Sequence, residues 1–157
     1  MAIVELTRKI EVPPEHVFVF FVPQRMPYWY GAEMDSCFEV QDGAADFRVG
    51  LKVRISGQLG RKTVSHTAVV TAVEFPRLLE WRFQDSYGVR GRERWELERQ
   101  PRDSGSTGGG TMVRFINEYA MPGRVGRFVD RLLTRRAITR RNREYLERLA
   151  RLVERRD

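Results

Sequence analysis

One cysteine and two histidines are all the thiol and imidazole chemistry that this chain of 157 residues carries. A lone Cys37 rules out an intramolecular disulfide framework and suits a reducing compartment; on a strand it is more often a small hydrophobe than a nucleophile. His16 and His66 stand far apart, with no Cys and His cluster at zinc spacing, so neither a metal nor another cofactor is expected. GQLGRKT at 57–63 lacks the G-x-x-x-x-G-K-[ST] spacing of a phosphate loop, and GGGT at 108–111 leads into a strand-like run with no helix dipole to hold phosphate. No apolar run nears the roughly 18 residues of a membrane span. The amino terminus, MAIVELTRKIEV, alternates where a secretion signal would set an apolar run behind basic residues, so a soluble, cytoplasmic protein is the expectation.

Positive charge, in contrast, is plentiful and confined. Residues 122–157 hold twelve arginines against five acids, a surplus of seven that equals the formal net charge of +7. Of the 28 basic and 21 acidic residues, 16 of each are left for the first 121 positions, which balance. The high isoelectric point therefore describes one segment. Composition, at 41% hydrophobic and 11% aromatic, supplies enough apolar surface for a core, and the length fits one domain over residues 1–157.

Turn residues and hydrophobic period order the chain. Residues 2–12 set Ile3, Glu5 and Thr7 against Val4, Leu6 and Arg8, a first strand. Pro13, Pro14 and Glu15 read as a helix start, since proline tolerates the first turn and an acid suits the positive end of the dipole. That helix, 16–22, is short, and Pro23 and Pro27 break off a second small piece at 26–30. Strand-like runs follow: 34–40, ending at the hairpin signal Asp42-Gly43; Leu51, Val53 and Ile55; 64–75; and Leu79, Trp81 and Phe83. In 88–100 Trp95 and Leu97 share a face, and in 111–120 so do Val113, Phe115, Asn117 and Tyr119. DSGSTGGG at 103–110 is a flexible hairpin loop between these two. One long amphipathic segment closes the chain.

A long antiparallel sheet needs a cover on one face, and only the last segment is long enough to supply it. This order, with PPEHVF at 13–18, MPYW at 26–29, P-x-x-L-E-W at 76–81 and GRERWELE at 91–98, resembles the polyketide cyclase/dehydrase branch of the START-like (SRPBCC) superfamily. The resemblance covers essentially the whole chain. It implies an α+β helix-grip fold: a curved antiparallel sheet of about seven strands around a long C-terminal helix, with two short helices after the first strand. It also implies a hydrophobic ligand cavity between sheet and helix. Members of that superfamily include transporters, cyclases, hydratases and chaperone regulators, so the fold leaves the activity open.

Candidate site residues follow from face and spacing. Steps of three and four place Val125, Phe128, Leu132, Arg135, Thr139, Asn142, Leu146, Leu149 and Val153 on one helical seam, apolar at both ends and polar between. If the seam faces the sheet, Arg135, Thr139 and Asn142 floor the cavity; if the helix turns near Ala137, Ile138 and Tyr145 take the buried stripe and the polar trio meets solvent. The alternation that buries Trp95 and Leu97 also turns Glu93 and Gly91 inward, where a carboxylate has a raised pKa or a cationic partner such as Arg135, unless its place near a loop leaves it wet. His66 shares parity with Ala68, Val70 and Ala72, and either face of that strand can be the inner one. Glu93 and His66 are the catalytic candidates. Trp81, Phe83, Trp95, Phe115, Asn117 and Tyr119 are the expected walls. Met26, Tyr28, Trp29 and Tyr30 are the expected gate.

Two functional classes stand against each other. The first is a protein that binds a hydrophobic or amphipathic small molecule, with cyclase, dehydratase or lyase chemistry through acid or base help from Glu93 or His66 while Arg135 and Asn117 hold a carbonyl oxygen. The second is a module that binds RNA, the ribosome or an anionic membrane through its arginines, although Glu144 with Arg148 and Glu147 with Arg151 look like pairs on the helix surface. A homodimer is a further expectation.

Overall fold

The first strand finds its partner at the far end of the chain. A computed structural model describes residues 1–101, 109–122 and 128–155, the side chains of 128–131 excepted. In it β1 (Ala2–Ile10) pairs antiparallel with β7 (Thr111–Ala120), and between them in sequence lie β2 (Cys37–Val40), β3 (Lys52–Leu59), β4 (Lys62–Glu74), β5 (Leu78–Asp85) and β6 (Arg90–Arg99). The seven strands form one sheet in the order β1-β7-β6-β5-β4-β3-β2, with every neighbouring pair antiparallel. With the long helix α2 (Phe128–Glu154) against β1, this is the α+β helix-grip arrangement.

Local chemistry explains the elements and two departures from the sequence reading. Helix α1 (Pro14–Phe18) starts on a proline in its first turn and is shorter than the spacing suggested; single 3-10 turns at Met26–Tyr28 and Ala32–Met34 complete the crossing from β1 to β2. Asp42 and Gly43 both take φ of +59°, as a type I′ turn requires, yet β3 starts only at Lys52. The turn signal therefore sits inside a longer loop instead of closing a tight hairpin. The loop at 103–110 lies largely outside the described residues.

The sheet separates its two faces by charge. Its outer face carries a ladder of ion pairs: Arg94 to Glu80 at 2.9 Å and to Glu96 at 2.7 Å, Arg92 to Glu118 at 2.6 Å, and Arg114 to Glu5 at 2.5 Å. Opposite charges across strands pair with one another on this face. Its inner face buries Ile10, Val53, Ile55, Leu79, Trp81, Trp95, Val113 and Phe115. Against these α2 lays Tyr145, Leu146, Leu149 and Ala150, all buried. Two polar contacts fasten the helix to β1 and its extension: Arg8 Nε to Glu147 Oε1 at 2.8 Å, and the Glu11 N–H to Glu154 Oε1 at 3.1 Å. Glu147 thus pairs with the sheet and not with Arg151, and among the described residues neither expected i to i+4 pair on α2 forms. No helix among the described residues is long and apolar enough to cross a membrane.

Candidate functional site

Strand register alone sets the centre of the site. Trp81 lies opposite Glu93, Glu93 opposite Asn117, and Asn117 opposite Val4, so one inward row runs across four strands. The next row is Phe83, Gly91 and Tyr119. A Cβ at Gly91 would fall 1.9 Å from the Glu118 carbonyl oxygen, so β6 and β7 approach too closely there for any other residue. Phe83, Glu93, Asn117 and Tyr119 of these two rows line a cavity.

Glu93 is buried, with 3% of its surface exposed, and Oε1 accepts two hydrogen bonds: from the Tyr30 hydroxyl at 2.7 Å and from the Trp81 indole N–H at 3.2 Å. Tyr30 has given its only proton to Glu93, so its oxygen can accept from His66 Nε2, 3.3 Å away; that contact requires the tautomer with hydrogen on Nε2. Burial raises the Glu93 pKa, opposed by the Tyr30 hydrogen bond, the charge of Arg141 and the Trp81 hydrogen bond. Burial pushes the Tyr30 hydroxyl well above its usual range, and the Glu93 charge adds to it. Burial, then the Arg141 charge, depresses His66 to about 4, so His66 is a neutral imidazole at physiological pH.

Helix α2 closes the opposite wall. Thr134, Ile138, Arg141 and Tyr145 line a cavity of about 280 Å³ with Tyr30, His66, Phe83, Glu93, Asn117 and Tyr119. The spacing of these four, at three and four residues, makes one helical stripe. Arg141 is exposed by area yet crowded at its guanidinium; facing an open cavity satisfies both descriptions. Burial opposes its charge, but Tyr145, Tyr30, Glu93 and Glu33 together hold it protonated. Tyr145 donates to Glu33 Oε1 at 2.7 Å. The Asn117 carbonyl oxygen is buried and has no partner among the described residues, an open hydrogen-bonding position in the wall.

The His66 environment makes a prediction about stability. Its folded pKa lies below the unfolded value of 6.5, so its contribution is fully present above pH 6.5 and is lost as pH falls toward about 4. Full loss amounts to at most about 3 kcal/mol, since the ring keeps some surface toward the cavity. His66→Gln should therefore flatten the acid side of the stability curve between these two pH values in denaturant titrations. An unchanged slope would place the ring in water.

The structure brings together some of the residues read from the sequence and separates others. Glu93, His66, Phe83, Asn117 and Tyr119 all line the cavity, and β4 turns His66 inward with Ala68 and Val70. Trp81, Trp95 and Phe115 sit one layer deeper as fully buried core, with Trp81 reaching the site through its N–H. Trp29 is also core, its indole N–H donating to the Phe20 carbonyl at 2.9 Å, while Tyr28 points outward with 69% exposed. Tyr30, expected only at a gate, is the residue on which Glu93 and His66 converge.

Of the two faces that the sequence allows for the helix, the structure turns the one with Ile138 and Tyr145 to the sheet, and the seam through Arg135 and Thr139 is not the cavity floor. Leu132, Arg135 and Thr139 border a shallow outer groove with Arg136, Arg140 and Arg143, and the buried stripe passes instead through Ile138 and Tyr145. Thr139 spends its hydroxyl on the Arg135 carbonyl, 2.7 Å away. The cation facing Glu93 is therefore Arg141, and Arg135 is exposed. Asn142 is buried without a side-chain partner among the described residues, but it does not line the cavity. Val125 and the side chain of Phe128 lie outside the described residues. Cys37 is exposed instead of serving as a small buried hydrophobe.

A family model described as polyketide cyclase / dehydrase and lipid transport matches residues 1–154. No curated protein matches the chain. Among solved structures, protein MLL2253 from Mesorhizobium loti is 20% identical, with 99% of each chain covered and a TM-score of 0.72. Protein CV1439 from Chromobacterium violaceum is 17% identical over 99% of this chain and 100% of its own, with a TM-score of 0.68. DynU16, a protein of the dynemicin biosynthetic locus, is 19% identical over 97% of this chain and 47% of its own, with a TM-score of 0.66. At these identities the likeness is one of fold.

Proposed function

The chain belongs to the polyketide cyclase/dehydrase and lipid transport family, and on that premise we propose that it binds an apolar or amphipathic small molecule between its sheet and α2. The apolar body of the ligand lies along Phe83, Ile138 and the faces of Tyr119 and Tyr145, and a carbonyl or hydroxyl oxygen reaches the polar end. A buried carboxyl in an aromatic-walled cavity carries this reading: Glu93 keeps one oxygen for Tyr30 and Trp81, and no hydrogen bond engages Oε2 among the described residues. Asn117 presents an open carbonyl oxygen in the same wall, and Arg141 a guanidinium from the facing helix.

That pole is equipped for acid–base assistance to enolisation or dehydration. Glu93, with a raised pKa, takes a proton from the carbon next to a carbonyl, while the Arg141 guanidinium holds the oxygen on which negative charge develops and the Asn117 carbonyl oxygen can accept from a ligand hydroxyl. Neutral His66 and Tyr30 orient the carboxyl, and Glu93 itself passes the proton it has taken to the enolate oxygen, or to a departing hydroxyl that leaves as water.

Quenching of tryptophan fluorescence by 2-acetylnaphthalene and by naphthalene tests the binding claim. One well-placed hydrogen bond to a charged or strongly polar group corresponds to roughly tenfold in affinity, so the ketone should bind about tenfold more tightly. Equal affinities would remove the polar pole from the account. No binding of either probe would remove the cavity.

A further inference from the structure

We propose that the outward face of the first half of α2 is a docking face for an anionic phospholipid bilayer. The docking does not rest on what the cavity holds.

Charge supplies the first argument. Residues 132–143 contain five arginines and no acid. Arg135, Arg136, Arg140 and Arg143 are exposed, and none of them forms an ion pair with another described residue. The sheet shows the contrast, since its arginines are matched strand by strand on the outer face. The surplus therefore stays on one face, where a planar array of negative headgroups would complement it and a scatter of solvent ions would not be selected.

Apolar surface on the same side supplies the second. Leu132 and Leu133, the latter 57% exposed, stand among those arginines. Helical geometry sets this stripe apart from the cavity: Thr134, Ile138 and Arg141 face inward, and Leu132, Arg135, Arg136, Thr139, Arg140 and Arg143 lie on the outward side of α2. Leucines beside a cluster of arginines suit the boundary between headgroups and acyl chains. Single-stranded RNA would instead call for aromatic stacking platforms, and the described residues of this stripe include no aromatic.

Co-sedimentation with vesicles of phosphatidylcholine alone, and of phosphatidylcholine mixed with phosphatidylglycerol, tests the proposal. Partition should be roughly tenfold stronger or more on the anionic vesicles and should weaken with added salt. Replacing Arg135, Arg136, Arg140 and Arg143 together by glutamine, a good helix former, should abolish that preference while helical circular dichroism and 2-acetylnaphthalene binding remain. Leu132→Asn with Leu133→Asn should also lower partition, at unchanged charge. Equal partition on both vesicle types overturns the proposal, as does indifference to the leucine substitutions or tighter binding to polyuridylate RNA than to anionic vesicles. The naphthalene probes report on the cavity separately, so failure here leaves the small-molecule reading standing, and failure there leaves the docking face to be judged by the vesicles.

Discussion

Trp95→Ala should lower the unfolding free energy by about 3–5 kcal/mol, the range for removing a large aromatic from a packed core. Its ring stacks on Phe115 at 4.7 Å between centroids with 4° between planes, and meets Trp81 edge-on at 4.9 Å. Phe21, Trp29 and Tyr30 surround it at 6.0, 6.1 and 5.8 Å. No neighbour can collapse into that space without breaking another aromatic contact, so the cavity term is large as well as the transfer term. Trp95→Phe separates the two contributions. The indole N–H is buried without a partner among the described residues, and phenylalanine removes that unpaired donor while keeping most of the stacking. The Phe variant should lose about 1 kcal/mol in denaturant titrations. A loss below about 1.5 kcal/mol for Trp95→Ala would mean that the aromatic layer is loosely packed.

Glu93→Gln should separate stability from proton transfer. The amide keeps an oxygen for Tyr30 and Trp81, so the hydrogen bonds at 2.7 and 3.2 Å can persist. A raised carboxyl pKa contributes stability that is fully present below the unfolded value and is lost as pH rises through the folded value. Above that point the wild-type protein carries an ionised buried carboxylate, and glutamine does not. The variant should therefore be as stable as wild type or more so at pH 8, with the difference closing toward pH 4. Binding of 2-acetylnaphthalene should stay at wild-type strength or tighten, because Arg141 holds the ketone oxygen and the new amide N–H can donate to it as well, while base-dependent deuterium exchange at the ketone's methyl group should fall roughly a hundredfold. A variant that is less stable at pH 8 would show that Glu93 works as a structural ion, held by Arg141.

The sheet was legible in the sequence because its period of two is local. Trp95 and Leu97 fix the parity of β6, and parity alone turns Glu93 inward; the same reasoning carries Asn117 and Tyr119 in on β7. Turn residues marked where most strands end, although Asp42-Gly43 kept its turn conformation without closing a hairpin. The helix was less legible. Its apolar positions admit two stripes that diverge near Ala137, and which of them faces the sheet depends on the rotation of α2 against β1, set by contacts such as Arg8 with Glu147 far apart in sequence. One step along the helix exchanges Arg135 and Thr139 for Ile138 and Arg141. Tyr30 carried no periodic signal at all, lying in a proline-broken crossing between two strands. A reader could have found it only by asking which polar-tipped aromatic could satisfy a carboxyl that parity had already buried.

Charge was the feature most open to misreading. The excess of arginine belongs to one helix, but pairing within that helix is not what neutralises it, since Glu147 and Glu154 are committed to β1 and its extension. The outer ladder on the sheet consumes its own charges and the helix has none to borrow. Local i to i+4 rules describe an isolated helix; here the sheet competes for the acids and wins.

Native mass spectrometry on wild type and on Ile138→Trp, each with an excess of 2-acetylnaphthalene, tests most directly whether the space between sheet and helix is a binding cavity. Ile138 lines that space from α2 and takes no part in the hydrogen bonds of Glu93, so a larger side chain there fills the volume and leaves the polar pole in place. Wild type should hold one ketone per chain, and Ile138→Trp, folded by circular dichroism, should hold none. Equal loading of the two proteins, or no loading of wild type, would contradict the account.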